Sequence, residues 1–201
     1  MTTTAAFTQK LAHHASPVIL GVKPANLFSL DRASYDLDAC VAQFRRNTGR
    51  YGLRIRVICR CETRALLLVF RPALVEKVLQ DPERRAVLTQ YGYDTSWDAE
   101  ACLTHLSGRI AASTSFPHET GIFLGYPAED VLGFIEHGGE NCKMTGFWKV
   151  YGDLDAAQRT FSVYTQCREA LCEKLERGED FYEALTQLLD TQACVPACAE
   201  N

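Results

Sequence analysis

At 201 residues, with 47% hydrophobic and 23% charged side chains, the chain has the size and composition of a folded domain, which excludes wholesale disorder. No run approaches the roughly 20 apolar residues that cross a bilayer. Met1–Lys10 also lacks the apolar stretch of a secretory signal, so the expected location is the cytoplasm. Nine cysteines in that compartment are expected as reduced thiols, and an odd number cannot pair completely.

The net charge of −4 hides an uneven distribution. Between Arg45 and Arg71 stand eight arginines against the single acid Glu62, a local charge of +7 that leaves −11 for the remainder.

In chain order, residues 1–15 read as a loose lead-in with a short helical stretch around Phe7–His14, and 191–201 as a flexible tail. Pro17, Gly21 and Pro24 mark Pro17–Leu30 as an ordered loop. Asp36–Arg50 predicts a helix with Leu37, Val41 and Phe44 on one face. Leu53, Ile55, Val57 and Cys59 alternate with Arg54, Arg56, Ile58 and Arg60, a strand with one apolar and one mostly basic face. Ala65–Phe70 is a second, apolar strand, and the short link between the two predicts an antiparallel hairpin.

Helices are expected at Ala73–Leu79, Pro82–Gln90 and Asp98–Ala112, the first opened by Arg71-Pro72. Thr120–Leu124 reads as a short apolar strand, followed by a helix from Pro127 to His137 and a further strand over Gly146–Tyr151. This order suggests a βαβ crossover, although the linker 140–145 also permits an antiparallel return. Asp153 is placed to cap a long helix to about Leu175, and a last helix runs over Asp180–Leu189. The expected fold is a single α/β domain, with α+β as the alternative: a small mixed sheet holding a hairpin and a βαβ unit, covered by helices.

Three segments carry a resemblance. They are Leu20–Phe28 (LGVKPANLF), Phe116–Pro127 (FPHETGIFLGYP) and Gly146–Gly152 (GFWKVYG). Together with the arginine-ended strand they resemble a family of small cytosolic proteins from anaerobic Firmicutes, a domain of unknown function, over residues 15–170. The resemblance implies no activity, cofactor or catalytic residue. It does suggest a genomic setting near flavodoxin-like and iron-uptake functions.

The segment 116–151 is the densest in candidate site residues. His118 and Glu119 supply an imidazole and a carboxylate for proton transfer, and Tyr126, Lys149 and Tyr151, with Trp148, could close a pocket around them. The competing structural reading makes His118 a turn residue, Glu119 a cap and the aromatics core. Arg54, Arg56 and Arg60, on one face of a period-2 strand and joined by Arg71, could converge on an anion, because the guanidinium fork binds phosphate or carboxylate bidentately. The competing reading is a solvated edge strand.

Lys23 near Asn26 could likewise hold a phosphate or carboxylate, or simply sit on a loop that packs Leu27 and Phe28. Cys59-x-Cys61, the pair Cys167 and Cys172, and Cys194-x-x-x-Cys198 match no complete metal-ligand set, so no metal site is assigned. Gly-x-Gly-x-x-Gly, Gly-x-x-x-x-Gly-Lys and Gly-x-Ser-x-Gly are absent, and the cofactor is left open.

Two functions follow as expectations. The first is binding of an anionic small molecule, with catalysis by His118 and Glu119 if there is any. The second is an adaptor that docks an acidic, flavodoxin-like partner through the arginines. Nucleic acid is disfavoured, because the rest of the chain is acidic and no aromatics interleave the arginines.

Overall fold

The computed structural model describes residues 3–113 and 115–191. Cys194, Cys198 and the expected tail from residue 192 onward lie outside the described residues. The chain divides into two compact units, residues 1–71 with 162–201 and residues 72–161. The expected mixture of helices with a small sheet is present. Among the described residues no helix is long and apolar enough to cross a membrane.

The first unit opens with α1 (Thr3–Ile19), longer than the sequence suggested, and Phe7, Leu11, Ala12 and Ala15 are buried in the stretch expected to be loose. Gly21 ends the helix at φ +85°, a conformation that favours glycine, and its N–H reaches Val18 O. The expected loop over Pro17–Leu30 is instead the end of α1, this turn, and a strand, β1 (Ala25–Asp31).

The α2 helix (Leu37–Thr48) is capped by Asp36, whose side chain accepts from Ala39 N. The strands β2 (Arg54–Arg60) and β3 (Arg64–Phe70) pair antiparallel as the alternation predicts, and β1 adds to the far side of β3, giving the order β1-β3-β2. One face of the sheet, with Phe28, Leu30, Ile55, Leu67 and Val69, packs into a core with α1, α2 and the C-terminal helices. These helices are the later part of α8 (Leu154–Glu176) and α9 (Phe181–Asp190), the latter capped by Asp180.

A bulge between Val57 and Cys59 shifts the register of β2. Arg54 and Arg56 pair with Phe70 and Leu68 on one face, but Arg60 pairs with Ala65 on the other. The expected row of three arginines on one face therefore does not form. A single extra residue reverses the alternation beyond it.

The second unit is mainly helical. It comprises α3 (Pro72–Leu79), α4 (Pro82–Thr89), α5 (Ala99–Ala112), a short α6 (Thr120–Phe123), α7 (Ala128–Glu136) and residues 154–161 of α8. Asp81, Asp98 and Asp153 cap α4, α5 and α8 with their carboxylates. A two-stranded antiparallel ladder, β4 (Met144–Thr145) with β5 (Lys149–Val150), follows α7.

Among the described residues no βαβ unit forms. Thr120–Leu124 begins with the α6 turn, whose four residues are all buried, and the expected Gly146–Tyr151 strand shrinks to β5. A short apolar run satisfies a buried helical turn as well as a buried strand, so periodicity could not separate the two.

Candidate functional site

The segment 116–151 closes on itself around a cavity of about 330 Å³ within the second unit. Its walls are Phe116, Leu124, Tyr126, Val131, Phe134 and Trp148, and its polar groups include His118, Thr120, Asp130 and Lys149. Four of the residues read from the sequence as one cluster (His118, Tyr126, Trp148 and Lys149) therefore meet at one cavity. Phe116 is 49% exposed at this site, one of only two exposed large hydrophobics among the described residues.

The local chain explains the convergence. Pro117 opens a turn that brings Thr120 N back to Pro117 O and begins α6. Gly125, at φ +82°, then allows a second turn, where Tyr126 N returns to Gly121 O. This folds the Tyr126 ring over Gly121, where an added Cβ would lie 3.0 Å from Tyr126 Cδ2 and 2.8 Å from Val131 Cγ2. The Tyr126 ring stacks on Trp148 at 5.0 Å, and its hydroxyl donates to Phe147 O. Burial pushes this phenol up to about 12, so it stays protonated.

Asp130, only 3% exposed, is the hub of the far wall. Its Oδ2 accepts from Trp148 Nε1 at 2.6 Å, and its Oδ1 accepts from Tyr151 N and Gly152 N at 2.6 and 2.8 Å. Three N–H donors thus take up a carboxylate that sits in the first turn of α7, where the helix dipole also favours negative charge. Trp148 and Lys149 both reach the cavity because Trp148 lies in the turn before β5, outside the strand alternation.

His118 is exposed, with its ring 5.0 Å from Phe134. Lys149 Nζ stands 5.9 Å from the same ring and donates to Gly139 O. An ammonium has three donors, so Lys149 keeps others for a ligand. An imidazole and an ammonium therefore flank one aromatic ring.

Other expected site residues fall elsewhere. Glu119 does not join His118. It is fully buried and paired with Arg109, because successive residues of a helical turn point about 100° apart. Tyr151 is also outside the cavity: its ring stacks on His137 and its hydroxyl donates to Glu140 O.

Lys23, 2% exposed, donates to Asn26 Oδ1 at 2.6 Å and lies 5.5 Å from the Tyr164 ring. Burial pulls its ammonium down to about 7. Arg71 is structural in its contacts, donating to the carbonyls of Val18, Ile19 and Tyr51 and so satisfying the end of α1. Arg60 pairs with Asp38, Arg54 reaches the Leu53 carbonyl, and Arg56 lies over Phe70. Arg54 and Arg56 thus lie on one face of the sheet and Arg60 on the other.

The sequence reading missed Thr120, Asp130 and Phe134. Phe134 was findable as the next position on the inner face of α7, one turn after Asp130. Among the described residues no cysteine is in a disulfide, and no cluster of three or more metal-ligating side chains occurs.

No curated protein and no solved structure matches the chain. A family model described as "Protein of unknown function (DUF3793)" matches residues 11–185. With residues 11–185 matched, the chain belongs to that family.

Proposed function

We propose that the unit formed by residues 72–161 binds a compact, planar, anionic small molecule in the cavity between α6, α7 and the β4–β5 turn. The observation that carries this reading is the meeting of four aromatic rings (Phe116, Tyr126, Phe134 and Trp148) with His118 and Lys149 around one cavity. Its volume of about 330 Å³ lies at the small end of ligand pockets, which suits one or two fused rings and not a dinucleotide. The aromatic walls favour a flat ligand, and the imidazole and ammonium beside Phe134 favour an acidic substituent. Proton transfer to such a ligand would fall to His118 without Glu119, since Glu119 is held by Arg109.

The test is calorimetric titration of the full chain with 2-naphthoate and with its neutral isostere 2-naphthamide. The acid is expected to bind more tightly, with the preference reduced several-fold by His118→Asn and by Lys149→Met and weakened by salt. Equal binding of acid and amide, or an unchanged preference in both variants, contradicts the reading.

A further inference from the structure

Carboxylates at the starts of the longer helices serve those helices: Asp36, Asp98, Asp153 and Asp180 each accept from an N–H of the first turn. Glu119 departs from this. It stands at the N-cap of α6 but makes no side-chain cap bond there. Its carboxylate is fully buried and accepts through Oε1 from Arg109 Nε, in the last turn of α5. The other oxygen, Oε2, has no hydrogen-bond partner among the described residues, so the buried charge leans on Arg109. Arg109 is steadied in turn, with its guanidinium 5.3 Å from the Tyr91 ring. Separating a buried carboxylate from its partner is strongly unfavourable, so this pair is a firm tie between α5 and the chain entering α6.

The tie borders the residue of this turn that faces outward. Pro117, Glu119, Thr120 and Gly121 are buried, whereas His118 between them is exposed and lines the cavity. Neither Arg109 nor Glu119 is part of the cavity wall. With Glu119 drawn inward, the residue before it on a helical turn leaves about 100° away, which is the direction His118 takes.

We infer that the Arg109–Glu119 ion pair positions His118, holding its imidazole at the cavity where it meets the acidic group of the ligand. This rests on the small-molecule reading above. Both members are positioning residues that act through His118.

The variant Glu119→Met separates positioning from simple electrostatics, because the two predict opposite signs. Deleting a negative charge beside the cavity would by itself strengthen the binding of an acid. Releasing His118 weakens it. Methionine fills a similar volume, and the Arg109 side chain, a third exposed, can turn to water. Glu119→Gln keeps an acceptor for Arg109 and serves as the rescue.

Wild type, both variants and His118→Asn are titrated calorimetrically with 2-naphthoate and 2-naphthamide. Glu119→Met should lower the preference for the acid several-fold, to the level of His118→Asn, and leave binding of the amide as in wild type. Glu119→Gln should keep most of the preference, and adding His118→Asn to Glu119→Met should cost nothing more. If Glu119→Met does not fold, Arg109→Met/Glu119→Met, which leaves net charge unchanged and no lone buried ion, carries the same expectation. An acid preference that is unchanged or raised, an equal loss for acid and amide, or failure of both variants to fold overturns the inference and leaves the pocket reading standing. If wild type itself binds the acid no better than the amide, the pocket reading falls and the inference with it.

Discussion

Replacing Asp130 removes an acceptor that ties the Trp148–Gly152 segment to α7. In Asp130→Ala three N–H donors lose their partner: the buried Trp148 indole and the partly buried Tyr151 and Gly152 amides. An unsatisfied buried donor costs about 1–3 kcal/mol, and the half-buried amides fall toward the lower end, so the total is roughly 3–5 kcal/mol. That is a large share of the roughly 5–15 kcal/mol that holds a typical protein together.

Asp130→Asn is the sharper probe. Its single oxygen can still serve the two backbone amides, but its NH₂ then faces the indole N–H, donor against donor. Equilibrium urea unfolding, followed by tryptophan fluorescence, should give a loss of about 2 kcal/mol for Asp130→Asn. Repeating the change in a Trp148→Phe background removes the indole donor, so the cost of the asparagine should fall by about 1 kcal/mol or more. An identical cost in both backgrounds would refute the assignment of the Asp130–Trp148 bond as what fixes this wall.

Two further predictions follow from other parts of the fold. Burial pulls Lys23 down to about 7, while the unfolded chain keeps an ordinary lysine, so between about pH 7 and 10 the unfolded state binds more protons. Stability should therefore rise with pH across that window, by up to about 1.4 kcal/mol per pH unit, and Lys23→Met should flatten the rise; equal slopes in the two proteins count against it. At Gly133 an added Cβ would lie 2.5 Å from Tyr151 Cγ, so Gly133→Ala must displace that ring. It should destabilise by about 1–2 kcal/mol in thermal unfolding despite the better helix propensity of alanine, and a stabilised variant would show that the ring moves freely.

The parts legible in the sequence were those where one period dominates. The β2–β3 hairpin follows from strict alternation beside an apolar run, and the Asp153 cap of α8 from its position before apolar periodicity. β1 was missed because Pro24 and Gly21 read as loop, while the strand is specified by its partner β3 along an edge and not by its own pattern. The bulge at β2 leaves no residue signature, yet it decides that Arg60 meets Asp38 on α2 instead of joining Arg54 and Arg56.

Within the candidate site, the density of polar and aromatic residues over 116–151 pointed to the segment that builds the cavity. The partition within it depended on backbone conformation. Reading Thr120–Leu124 as a strand kept His118 and Glu119 together, whereas the helical turn sends one to the cavity and the other to Arg109. The same turn buries the Thr120 hydroxyl beside the cavity, which a strand reading could not anticipate.

The central claim is that the cavity bordered by Trp148 takes a planar acid. The most direct measurement is a two-dimensional nitrogen–proton NMR titration of the two tryptophan indoles with 2-naphthoate, assigned through Trp97→Phe. Trp97 packs against Tyr93 and His105, away from the cavity lining, and serves as the internal control. The account predicts a saturable shift of the Trp148 indole signal with Trp97 unmoved. A Trp148 signal that stays in place through saturating probe, or moves only in step with Trp97, would contradict it.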